Sequence, residues 1–160
     1  MRVVLNTSPQ ILLAKIGRLD LLIKLYNDIL IPASVLDELL VKPSGDIQKI
    51  QVLIRAGDFQ VQKATSENIS RVRADLGAGE REAIALAIEK NADLVILDDQ
   101  EGREIARSRG LSVTGTIGVL VEARKRNLIP SIRPELDRLI EAGMWLNEIF
   151  YDRILQEFGE

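Results

Sequence analysis

Short apolar runs alternate with longer amphipathic stretches along this chain. Val3-Val4-Leu5 is a β-branched run that reads as a first strand. It stops at Asn6-Thr7-Ser8-Pro9, where Thr7 or Ser8 is expected to cap a helix and Pro9 suits its first turn. Helices are expected over 9–16 and 18–26, parted by Gly17, before a second strand at Ile29-Leu30-Ile31. Pro32 is read as opening a helix that runs to Leu40. A helix over 44–56 ends at Gly57, and Phe59-Gln60-Val61 reads as an edge strand. Helices over 66–76 and 80–90 flank the loop Gly77-Ala78-Gly79. The run Leu94-Val95-Ile96-Leu97 is apolar throughout, as a buried parallel strand requires. A helix over 100–109 leads to a last strand, Leu111-Ser112-Val113, which ends in Thr114-Gly115-Thr116. Helices over 117–126, 133–142 and 147–158 complete the chain. This alternation predicts an α/β fold with a mostly parallel central sheet between two helical layers. Right-handed crossovers then bring the strand-exit loops to one edge of the sheet. One domain over 1–160 is expected, with the helices of about 131–158 appended to it.

Composition narrows the chemistry. The 160 residues are 46% hydrophobic but only 4% aromatic, so the core must be aliphatic. There is no Cys and no His, which removes disulfides, thiolate chemistry, Ser-His-Asp triads and imidazole metal sites. Any metal site must be oxygen-rich, which suits Mg²⁺ or Mn²⁺. A net charge of −3 supplies no global pull toward nucleic acid, so such a partner needs a local basic patch or a charge-reversing metal. The start MRVVLNTSP lacks a signal-peptide pattern, and no run is long enough to span a bilayer. A cytoplasmic protein is expected.

The candidate chemistry gathers at the predicted strand exits. Asp98 and Asp99 follow the apolar strand directly, where their mutual repulsion calls for a positive partner such as a divalent metal. The competing use of Asp99 is to cap the next helix. On a helical wheel, Glu80 points into the apolar arc of Ala83, Ile84, Ala87 and Ile88, whereas Glu82 falls off that arc. An inward acid at a helix start is either a dipole partner or a site ligand. Asp37 and Glu38 flank their own apolar arc symmetrically, so the wheel does not choose between them.

In order and spacing, these segments resemble a PIN-domain protein, the fold of metal-dependent ribonucleases that includes VapC-type toxins. N-T-S-P follows the first strand, I-P-A-S-V-L-D-E-L matches P-x-x-V-x-x-E-L, and G-E-R-E-A-I-A-L-A matches the acid-led, Ala-rich helix. A-D-L-V-I-L-D-D matches the strand that delivers the last acid, and V-T-G-T-I-G-V-L is similar to a prokaryotic subfamily with members encoded beside antitoxin-like genes. The resemblance implies a three-layer α/β/α fold and a catalytic set of Asn6, Glu38, Glu80, Asp98 and Asp99. Of these, Asn6, Glu80, Asp98 and Asp99 are the implied holders of Mg²⁺ or Mn²⁺. Thr7, Ser8 and Thr116 would contribute hydroxyls to the metal's water shell or the phosphate. Asn6 departs from the usual pattern, which has Asp there. Its carbonyl oxygen carries no charge, so metal affinity should fall and two-metal chemistry is disfavoured.

The function implied is hydrolysis of RNA, with Arg103 steering the phosphate and an antitoxin protein as a further partner. Arg103, Arg107 and Arg109 on one helix, and the cluster Arg124-Lys125-Arg126, are equally at home on solvated helix faces. The rival reading is a catalytically impaired PIN-fold binding module acting through protein or RNA contact. A homodimer is expected, and the aromatic C-terminal segment (Trp145, Phe150, Tyr151, Phe158) reads as core in preference to a dimer surface. A phospho-acceptor receiver domain also clusters acids at strand ends. It needs a lysine after its last core strand, where this chain has Thr114-Gly115-Thr116.

Overall fold

The computed structural model describes residues 1–41 and 45–160. Five parallel strands form its sheet: β1 (Arg2–Leu5), β2 (Asp28–Pro32), β3 (Phe59–Gln62), β4 (Leu94–Ile96) and β5 (Val113–Thr114), in the order β3-β2-β1-β4-β5. The chain builds outward from β1 through β2 to β3, then returns to the other side of β1 for β4 and β5. That reversal leaves a crevice between the carboxyl ends of β1 and β4, where open α/β sheets bind ligands. Val4 is level with Val95, and Leu5 with Ile96, so Asn6 leaves the sheet level with Leu97, one residue before Asp98.

Side chains alternate strictly across the sheet, as the pleat requires. Val3, Leu5, Ile29, Ile31 and Ile96 enter one core; Val4, Leu30, Val95 and Leu97 enter the other. The first core is closed by α1 (Thr7–Lys15), α2 (Asp20–Leu25), α3 (Ala33–Val41), α4 (Gly45–Arg55) and α8 (Thr116–Lys125). The C-terminal helices α9 (Arg133–Glu141) and α10 (Glu148–Glu157) add Leu136, Leu139, Ile154 and Leu155 to the same core. The second core lies under α5 (Ser66–Ser70), α6 (Ala78–Glu89) and α7 (Gln100–Ser108). The result is the three-layer α/β/α arrangement.

Several expectations need correction. Pro32 ends β2 and does not open a helix; it pairs in register with Gln62, and its missing N–H is tolerated at the strand's end. The helix expected over 66–76 stops at Ser70. Arg81 Nη2 donates to the carbonyls of Ile69 (3.0 Å) and Val72 (3.2 Å), tying the end of α5 and the turn after it to α6. The last strand is Val113–Thr114, starting two residues and ending one residue later than expected. Ser44, expected to start a helix, lies outside the described residues, and α4 is described from Gly45. The C-terminal aromatics divide: Tyr151 and Phe158 pack on the core, whereas Trp145 is 81% and Phe150 44% exposed.

α6 shows why a helical wheel misjudges a helix covered on two sides. Glu82, which the wheel places off the apolar arc, is buried, along with every residue from Ala83 to Ala87. Its Oε1 accepts from the N–H and hydroxyl of Ser34, both at 2.7 Å, and its Oε2 from the N–H of Ala64 at 3.1 Å. One carboxylate thereby joins the start of α3 and the exit of β3 to α6.

Candidate active site

At the carboxyl edge, Asn6 occupies the N-cap of α1 with extended backbone (φ −84°, ψ 177°). An asparagine there ordinarily accepts a bond from the first helical amides. Asn6 does not: its side chain makes no capping bond, although the residue is only 3% exposed. Its buried Oδ1 has no protein partner. The main chain is meanwhile anchored, with Asn6 N–H donating to Ile96 at 3.0 Å and Gln10 Nε2 donating to the Asn6 carbonyl at 3.2 Å. Gln10 is fully buried one helical turn on, a role its polar character gave no reason to expect.

Thr7 and Ser8 are the first two residues of α1 and do not cap it, contrary to expectation. Nearby carboxylates draw their hydroxyls away. Thr7 Oγ1 donates to Glu38 Oε2 at 2.7 Å, and Ser8 Oγ donates to Asp98 Oδ2 at 3.0 Å. Glu38 Oε1 accepts the Gly79 N–H at 2.9 Å, so Glu38 bridges α1 and the start of α6 while Asp37 is exposed. Asp98 Oδ1 accepts the Thr116 N–H and its Oδ2 the Thr116 hydroxyl, both at 2.7 Å. Thr116 itself is fully buried.

Glu80 sits in the first turn of α6, with its carboxylate folded back against Gly77. It lines one depression of about 340 Å³ together with Asn6, Thr7, Ser8 and Glu38. Asp99 does not join them. It is exposed at the N-cap of α7, and its Oδ2 accepts the Gly102 N–H at 2.8 Å, the capping use that competed with a metal role. Arg103 lies on the far side of Asp98, in an adjoining cleft.

These acids coexist because helix amino-termini face them. Amides at the starts of α6, α7 and α8 each donate to one carboxylate: Gly79 to Glu38, Gly102 to Asp99 and Thr116 to Asp98. The partial positive charge of a helix start stabilises such an anion. Glycines provide the space. A Cβ on Gly79 would lie 2.5 Å from Glu38 Oε1, and one on Gly115 would lie 2.7 Å from Asp98 Oδ1 and 3.1 Å from Arg103 Nη1. The sequence signal for these two positions was only their place in the G-E-R-E and T-G-T motifs.

Among the described residues, no three acidic side chains gather closely enough to hold a metal ion. The donor set nevertheless fits a hard cation. It is all oxygen, it includes an orphaned buried amide oxygen, and Mg²⁺ takes only one or two carboxylates besides waters. The second basic cluster is committed elsewhere: Arg124 meets Glu160 (3.2 Å), Lys125 meets Glu157 (3.8 Å) and Arg126 meets Glu122 (2.8 Å). Arg109 Nη1 bonds the Arg71 carbonyl at 2.9 Å.

The family model described as a PIN domain matches residues 2–160. The chain belongs to the PIN-domain family. The solved structure of a PilT N-terminus domain protein from the hyperthermophilic archaeon Sulfolobus solfataricus is similar, with a TM-score of 0.54 at 20% identity. The match covers 77% of this PIN domain and 93% of that chain, and at this identity it establishes the fold alone. No curated protein matches the sequence significantly. PIN domains are generally nucleases that depend on divalent metals and act on RNA. No helix among the described residues is long and apolar enough to cross a membrane.

Proposed function

We propose that this PIN domain is a metal-dependent ribonuclease that hydrolyses phosphodiester bonds in RNA. The observation that carries the reading is the orphaned Oδ1 of Asn6, buried at the β1–β4 crevice in the depression it shares with Glu38 and Glu80. Asn6, Glu80 and Asp98 are the residues that would hold Mg²⁺ or Mn²⁺. When bound, such a metal supplies charge neutralisation at the scissile phosphate and acidifies a water. Glu38, fixed by the Thr7 hydroxyl and the Gly79 amide, orients the attacking water. Ser8 and Thr116 hold Asp98 in place, and Asp99 keeps α7 in register so that Arg103 reaches the phosphate. The family resemblance adds two partners to this reading: an antitoxin protein, and a second copy of the chain.

A second reading, a PIN-fold binding module without catalysis, is favoured by the missing charge at Asn6 and by the absence of three gathered acids among the described residues. One assay separates the two: the purified protein on RNA with Mn²⁺, beside Asp98→Asn and Asn6→Asp. Ribonuclease function predicts cleavage by the wild type that Asp98→Asn abolishes. Metal binding and cleavage that emerge only in Asn6→Asp establish the binding module. Cleavage untouched by Asp98→Asn places the active site elsewhere.

A further inference from the structure

Beside the acidic depression lies a second, more enclosed cleft of about 300 Å³ at the exit of β5. Asp98 and Arg103 stand at one end, Ile117 and Val121 form the α8 wall, and Met144 and Phe150 close it from the C-terminal segment. Its size is at the lower end of the roughly 300–1,000 Å³ typical of small-molecule sites. The two spaces adjoin at Asp98, whose Oδ2 accepts the hydroxyl of Ser8 from the acidic side at 3.0 Å. A molecule seated in the cleft therefore abuts the position assigned to the scissile phosphate.

Three features identify its occupant. Arg103 has a buried Nε with no partner, and no carboxylate among the described residues pairs with its guanidinium. Unused guanidinium donors beside a proposed phosphate position suit a phosphate oxygen. The walls beyond Arg103 are aliphatic, thioether and aromatic, which suits the faces of a planar ring. Phe150 keeps 44% of its surface exposed although it lines a concavity, so part of its ring is uncommitted to the core. At the opposite end Glu157 offers a carboxylate held only loosely by Lys125 at 3.8 Å, an acceptor for an exocyclic amine.

We propose that this cleft is a nucleoside subsite. It takes the base of the nucleotide adjoining the cleaved bond, with Phe150 stacking on the base and Arg103 holding its phosphate. The C-terminal segment then selects substrate as well as completing the core. The assignment rests on the ribonuclease reading for its place in the reaction, but not for its ligand.

The test uses the full-length chain, with nucleoside 5′-monophosphate and inorganic phosphate binding followed by NMR, and with RNA cleavage resolved into KM and kcat. Phe150→Ala should weaken nucleotide binding and raise KM about tenfold, the scale of one lost stacking contact, with kcat held. Phe150→Tyr should restore both, and Val121→Met, which fills the cleft from α8, should weaken them. Phosphate binding should survive Phe150→Ala and fail in Arg103→Gln. Nucleotide binding indifferent to both Phe150→Ala and Val121→Met overturns the subsite. If the wild type cleaves RNA and both variants match its KM and fragment pattern, the subsite falls and the ribonuclease stands. If the wild type cleaves nothing but binds nucleotides through Phe150, the ribonuclease reading falls and the subsite stands.

Discussion

Asp98 is gripped twice by one residue: Thr116 gives its backbone N–H to Oδ1 and its hydroxyl to Oδ2, each at 2.7 Å. The segment leaving β4 and the helix that follows the next strand are thereby joined through a single carboxylate. The two residues are 18 positions apart, and β5 is the element that brings them together.

Thr116→Val tests that grip. Valine keeps the shape and the amide bond while removing the hydroxyl, and a bond to a charged group contributes about 1.5–3 kcal/mol. Ser8 still holds Oδ2, so the carboxylate loosens without being orphaned. Cleavage and Mn²⁺ affinity should fall about tenfold, with a melting temperature only a few degrees lower. Unchanged affinity and turnover would remove Thr116 from the site.

Gly115→Ala tests space. The backbone at 115 (φ −121°, ψ −172°) accepts any residue, so the effect comes from the Cβ alone. That carbon would stand 2.7 Å from Asp98 Oδ1 and 3.1 Å from Arg103 Nη1, and both groups must move. We expect a native circular-dichroism spectrum with metal binding and cleavage reduced by at least about tenfold. Full activity in Gly115→Ala would show that neither group acts from its observed position.

Glu80 and Glu82, one residue from adjacent on α6, should behave oppositely. Glu82→Ala strands the Ser34 and Ala64 amides and should cost about 2–4 kcal/mol, read as a lower denaturant midpoint with or without metal. Glu80→Ala loses only a helix-start charge, about 0.3–1 kcal/mol, but should abolish the thermal stabilisation that added Mn²⁺ gives the wild type. Equal effects of the two substitutions would contradict these roles.

Glu160 makes the packing of the C-terminal helices sensitive to acid. Burial pushes its carboxyl up, but the Ser131 hydroxyl, the Ile132 and Arg133 amides and the Arg124 guanidinium together bring it down from 4.5 to about 2. A carboxyl depressed by folding adds stability that is complete above its unfolded value and is lost as pH falls through the folded one. The urea midpoint should therefore decline between about pH 4.5 and 2, more steeply in the wild type than in Glu160→Gln. Parallel pH profiles would show that Glu160 contributes no such linkage.

Local pattern determined a good deal of this protein. β-branched runs and turn residues located the strands, and strands alternating with helices implied a parallel sheet with an active edge, because buried strands and crossover helices leave periodic traces. Glu80 was legible as inward-facing from its own helix. For Asp37 and Glu38, periodicity left a tie that the PIN resemblance broke in favour of Glu38, and Glu38 is the one that bonds the Thr7 hydroxyl and the Gly79 amide. Tertiary structure decided what depends on neighbours distant in the chain. Glu82 falls off the apolar arc because a wheel assumes one buried face, whereas α6 is enclosed by α3, α5 and the sheet. Thr7 and Ser8 looked like caps because capping is a local preference, and carboxylates 31 and 90 residues away claimed their hydroxyls. Asp98 and Asp99 are identical in type and adjacent in sequence. Only the arrival of Thr116 beside one and of Gly102 beneath the other separates them, the first held by the start of α8 and the second capping α7.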